Sequence, residues 1–87
     1  MKSKRIKTMS GAAYLVTEDG DVERLRGDKD MSYTLDGSQY EEGFLQHWAG
    51  FDDLAVGGFI HWQGVINEKY TQPIRSSLIE SITEEDK

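Results

Sequence analysis

The chain predicts an α+β domain that is mostly β: a small antiparallel, barrel-like arrangement of five or six short strands, with a short helix near 38–49. Three observations lead there. The densest apolar run, Val56 to Ile66, is rich in aromatic and β-branched residues and bracketed by glycine; such side chains suit a pleated backbone. Asp19-Gly20 lies between two apolar runs and supplies the positive φ of a tight hairpin. Tyr40, Phe44 and Trp48 recur four apart behind a Ser38-Gln39-Tyr40-Glu41 capping box, which is the helical part of the reading.

The 87 residues form one domain, 1–87, with a small core, since 37% of residues are apolar. A chain this short buries roughly 60% or a little more of the surface that it exposes when unfolded. It has no cysteine, which excludes disulfides, thiol nucleophiles and thiolate zinc sites. No apolar run reaches the ~18 residues of a membrane span. The expectation is a cytoplasmic protein without membrane contact.

Residues 1–4 read as a basic, disordered N-terminus. Arg5 to Met9 alternates and begins a strand. Ser10-Gly11 is a turn, and Ala12 to Thr17 a buried strand. After the Asp19-Gly20 hairpin, Val22 to Arg26 is the return strand, so the first 27 residues read as a three-stranded meander. Met31, Tyr33 and Leu35 suggest a fourth strand. Gly50 is placed to cap the helix over 38–49. Gly43 within it costs ~1 kcal/mol relative to alanine, so an irregular or strand-like path over these residues stays open.

Residues 58–63 are the expected central strand, with Gly64 as a bulge or exit. Asn67-Glu68-Lys69 is a polar turn. Tyr70 to Arg75 is extended and lies at an edge or a bulge, because Pro73 cannot donate to a ladder. Leu78, Ile79 and Ile82 close the core as a last strand or short helix, and 83–87 read as a disordered acidic tail. The expected core is Leu15, Val16, Leu25, Phe59, Ile60, Ile74 and Ile79.

Charge is the strongest compositional signal. The net charge is −6. Lys2, Lys4, Arg5 and Lys7 make a basic block, whereas 18–53 holds eleven carboxylates against three cations, a net of −8. Binding to bare duplex nucleic acid rests on neutralising phosphates, so this balance argues against it. It suits either a soluble, self-repelling surface or an acidic face that meets a basic protein partner.

No catalytic constellation emerges, and the chain reads as a non-enzyme without cofactor. His47 and His61 match no metal-ligand spacing even with Asp52 or Asp53 added. Asp28, Asp30, Ser32, Thr34 and Asp36 resemble a calcium loop, but Tyr33 stands where that loop needs glycine and Gln39 where it needs glutamate. Adjacent acids such as Glu41-Glu42 and Asp52-Asp53 arise by chance in a chain with sixteen acids.

Tyr14 after Ser10-Gly11, the Val22-Glu23-Arg24-Leu25 strand, Val56-Gly57-Gly58 before a strand, and Thr71-Gln72-Pro73-Ile74 together resemble a layout found in small uncharacterised β-barrel-like proteins of bacteria and their phages. The resemblance implies a compact module with no defined activity and carries over no functional residue.

The functional expectation is a small protein-interaction module. As a phage-encoded inhibitor it would set an acidic, aromatic-rich face against a host nucleic-acid-binding protein. Its residues are Tyr40, Glu41, Glu42, Phe44, Trp48, Asp52 and Asp53, because aromatics anchor interfaces and carboxylates steer basic partners. The alternative is a small barrel that binds a small ligand or single-stranded nucleic acid through its aromatic cluster. A homodimer is compatible with both.

Overall fold

The computed structural model describes residues 1–25, 42–67 and 70–86. Among the described residues there are seven strands: β1 Lys2–Thr8, β2 Ala13–Thr17, β3 Asp21–Leu25, β4 Glu42–Leu45, β5 His61–Asn67, β6 Tyr70–Arg75 and β7 Ile79–Asp86. One 3-10 turn, Phe51–Asp53, is the sole helical element among the described residues. All seven strands form one antiparallel sheet in the order β6-β5-β4-β3-β2-β1-β7.

The meander forms as its turn chemistry requires. Gly20 has φ +95° and Gly20 N donates to the Thr17 carbonyl at 2.9 Å, closing the β2–β3 hairpin on the one residue type that adopts this φ without cost. Val16 then pairs with Val22 and Tyr14 with Arg24. Alternation puts Ile6, Tyr14, Val16 and Val22 on one face, the inner face, where each is buried. Ala12, Leu45, Ile60, Trp62 and Ile79 complete the core among the described residues, and the Tyr14 and Trp62 rings meet edge-on at 5.7 Å between centroids.

Of the expected core, Val16, Ile60 and Ile79 are buried. Leu15, Leu25, Phe59 and Ile74 are only partly so. Leu15 lies next to Val16 and takes the opposite, outer face; register decides burial here rather than hydrophobicity. The central strand begins three residues later than expected, at His61, and Gly64 lies inside it.

Three other expectations change. The helix over 38–49 is contradicted where it can be followed, since 42–45 is strand β4 between β3 and β5. Gly50 precedes the 3-10 turn instead of ending a helix. Residues 2–4 and 83–86, expected to be disordered, lie in paired strands: Lys2 to Lys7 pairs with Ser81 to Asp86, and Arg5 Nε donates to Glu85 Oε1 at 2.9 Å. The Met1 amino group also lies 3.6 Å from Asp86 Oδ1, so two ion pairs join the basic start to the acidic end. The expected strand at 31–35 and the calcium-like loop lie outside the described residues.

The sheet is open rather than a closed barrel of five or six strands. β6 and β7 are its two edges. They run in the same direction, because every neighbouring pair is antiparallel, and they follow one another through residues 76–78. They are therefore successive segments of one path. Four residue steps from Arg75 to Ile79 span at most ~14 Å, whereas a flat seven-stranded sheet would hold its edges ~29 Å apart. The sheet must coil, as the extents of 30 × 27 × 22 Å reflect.

Ser76 holds that corner. Its hydroxyl accepts from Ile60 N at 2.9 Å and donates to the Ser77 carbonyl at 2.8 Å, while Ser76 N donates to the Ile60 carbonyl. Ser77 Oγ accepts from Ser10 N, which ties the β1–β2 turn to the same corner.

Gly43 fixes how closely β4 and β5 approach. It pairs with Gly64. A Cβ on Gly43 would run into the Gln63 carbonyl and come within 2.8 Å of Trp62 Cε3.

Candidate functional site

The outer face of the sheet, opposite the core, carries the candidate site. Register sets its rows. Leu15 of β2 stands opposite Glu23 of β3, which stands opposite Glu42 of β4. In the next row Asp21 stands opposite Phe44, and Phe44 opposite Gln63. Glu23 facing Glu42 is notable, because like charges directly opposed across a ladder destabilise a sheet. Both are exposed, and neither has an ion-pair partner among the described residues. Leu15, Thr17, Asp21, Glu23, Glu42 and Val65 line a hollow of about 770 Å³ on this face, with Val22, Arg24 and Gly43 also in its lining. Three carboxylates and one cation therefore meet there with aliphatic Leu15 and Val65.

Aromatic side chains continue the face across β4 and β5. Phe44 is 45% and Trp48 60% exposed, both high for residues of that size. Trp48 lies against His61, with ring centroids 4.7 Å apart. His61 meets Phe59 edge-on at 6.0 Å, and the Arg75 guanidinium lies 4.7 Å above the Phe59 ring. His61 and Gln63 are two apart on β5, so Phe44 and the Trp48–His61 pair share one side of the sheet.

Of the seven expected residues, the structure brings Glu42, Phe44 and Trp48 to this side. Asp52 and Asp53 are exposed on the 3-10 turn, where Asp53 Oδ2 accepts from Gly50 N at 3.2 Å. That turn belongs to the core side: Lys4, on the inner face, donates from Nζ to the Phe51 carbonyl at 2.8 Å and sits 4.4 Å above the Phe51 ring. The two aspartates thus stand apart from the outer-face carboxylates. Tyr40 and Glu41 lie outside the described residues.

Sequence reasoning missed Asp21 and Glu23 as site residues, although the Asp21-Val22-Glu23-Arg24 alternation already places both carboxylates on one face. It also missed the Phe59–His61–Trp48 contacts, which no spacing in the sequence reveals. Neither histidine belongs to a group of three metal-ligating side chains among the described residues. No described helix is long and apolar enough to cross a membrane.

Comparison with protein-family models, with curated proteins and with solved structures finds no match to this chain.

Proposed function

We propose that the protein is a small interaction module whose outer face receives a basic protein surface. The observation that carries this reading is the direct opposition of Glu23 and Glu42 beside exposed Phe44 and Trp48. Two like charges held face to face cost stability when the protein is alone. A lysine or arginine placed between them would turn that cost into attraction. Aliphatic Leu15 and Val65 suit the methylene stem of such a side chain, and Trp48 and Phe44 would anchor the contact. A partner that uses the same basic surface to hold nucleic acid would be blocked by this contact, which is the inhibitor form of the reading.

The runner-up, nucleic acid held through the basic N-terminus, has less to draw on. Lys4 is buried and committed to Phe51, and Arg5 to Glu85. Two exposed cations, Lys2 and Lys7, remain in the block.

The test is capture of partners from cell lysate by the wild type, followed by binding kinetics with the variants Glu23→Lys/Glu42→Lys and Trp48→Ala. The reading expects the charge reversal to slow association at least ~10-fold at low salt. Binding unaffected by either variant would overturn it.

A further inference from the structure

β7 is an edge of the sheet, separate from the outer face. Its backbone directions follow from the register. Glu18 N donates to the Lys2 carbonyl and Thr8 N to the Ala12 carbonyl, so the even residues of β1 aim their backbone groups at β2. Ser3, Arg5 and Lys7 therefore aim at β7, where their partners Glu85, Thr83 and Ser81 aim back. That leaves the N–H and C=O groups of Ile82, Glu84 and Asp86 pointing away from the sheet, and no described strand pairs with them. The register shift between Lys7 and Thr8 places Ile79 in the outward set too. There the edge already takes backbone partners: Ile79 N donates to the Gly58 carbonyl at 2.9 Å, and Gly57 N donates to the Ile79 carbonyl at 3.0 Å.

The two edges differ in chemistry. β6 carries Pro73, which cannot donate to an added strand, and exposed Arg75. β7 spans eight residues, contains no proline and carries Glu80, Glu84, Glu85 and Asp86. Glu80, Glu84 and Asp86 are exposed. A second copy fits poorly: antiparallel pairing centred on Glu84 would set Glu84 against Glu84 and Ile82 against Asp86. Like charges directly opposed destabilise such a pair.

We propose that β7 accepts an extended, lysine- or arginine-bearing peptide segment by strand addition. The outward groups of Ile82, Glu84 and Asp86 supply the ladder, and exposed Glu80 and Glu84, which form no ion pair among the described residues, select the basic sequence; Glu85 and Asp86 already face Arg5 and the Met1 amino group. This site does not depend on the outer-face reading and involves none of its residues.

The probe is a synthetic peptide of alternating lysine and threonine, beside the same peptide N-methylated at alternate amides, which keeps the charge and removes donors. Binding is read by amide hydrogen exchange and by fluorescence anisotropy at low salt. The expected result is new protection at Ile82, Glu84 and Asp86 and at least ~10-fold weaker binding of the N-methylated peptide. Glu84→Pro removes an outward donor and leaves the β1 ladder its bonds, so it should abolish binding in a protein that still folds. Should that variant fail to fold, the peptide contrast decides alone. Trp48→Ala should leave peptide binding unchanged. Equal binding of both peptides, protection elsewhere than on β7, or dimerisation of the protein through β7 would overturn the proposal.

Discussion

Replacing Gly43 with alanine reads out the architecture through the sign of its effect. In a helix over 38–49, Gly43→Ala would stabilise the protein by ~1 kcal/mol, since alanine is the better helix former. In strand β4 the added Cβ meets the Gln63 carbonyl and stands 2.8 Å from Trp62 Cε3. Carbon atoms prefer roughly 3.5–4.0 Å, so the indole must withdraw by ~1 Å. Trp62 is fully buried against Tyr14 and has no such room. The Gln63 carbonyl belongs to the β5 backbone and moves only with the β4–β5 ladder. Overpacking of this kind costs ~1–3 kcal/mol, and a weakened ladder bond adds ~0.5–1.5 kcal/mol. The expected loss is therefore ~1.5–4.5 kcal/mol, read as a lower urea midpoint at unchanged slope and a fall in Tm of roughly 6 °C or more. Gly50→Ala is the control: a Cβ there comes no closer than 3.3 Å to the end of the Asp53 side chain, and its φ of −74° suits any residue. A Gly43→Ala protein as stable as wild type, or more so, would refute strand β4 and its register with β5.

Other substitutions test separate parts of the fold. Ile60→Ala should lose ~2–5 kcal/mol by denaturation, because the side chain is fully buried at the centre of the core. Ser76→Ala should lose ~1–3 kcal/mol in the same assay, because it strips the hydroxyl that Ile60 N bonds. Gly20→Val should cost ~1 kcal/mol through backbone strain alone, since a Cβ at Gly20 meets nothing within 4 Å; Gly20→Asn should recover part of the loss.

Particular residues show where the sequence was legible. Asp19-Gly20 set the hairpin because the constraint is local: one φ that glycine meets. The apolar alternation on either side then placed the first three strands. Pro73 marked an edge strand for an equally local reason, its missing donor. The stretch around β4 misled because Tyr40, Phe44 and Trp48 mimic a helical stripe. In the structure Phe44 faces outward from a strand and Trp48 lies in the turn beyond it, so their spacing reflects two different environments. Gly43 and Gly64 read as breakers, yet they are opposed within a ladder, a role visible only once the partner strand is known. The last strand was blurred by its register shift, which leaves Ile79 and Ile82 three apart instead of two. The ends read as frayed because chain termini ordinarily are; the strand that pairs with each lies at the other end of the chain, beyond any local signal. The same limit applied to the site, where Glu23 and Glu42 become one feature only through the β3–β4 register.

The central claim is that the outer face works by charge steering and aromatic anchoring. The most direct measurement is the binding kinetics of a captured partner at low and high salt, with wild type, Glu23→Lys/Glu42→Lys and Trp48→Ala compared side by side. The face predicts an association rate that falls as salt screens charges over ~8–10 Å and falls again with the double reversal. It predicts that Trp48→Ala, 60% exposed and so tolerated by the fold, chiefly speeds dissociation, by roughly 30-fold for an anchor of ~2 kcal/mol. Association insensitive to salt and to the double reversal, with dissociation unchanged by Trp48→Ala, would contradict the claim.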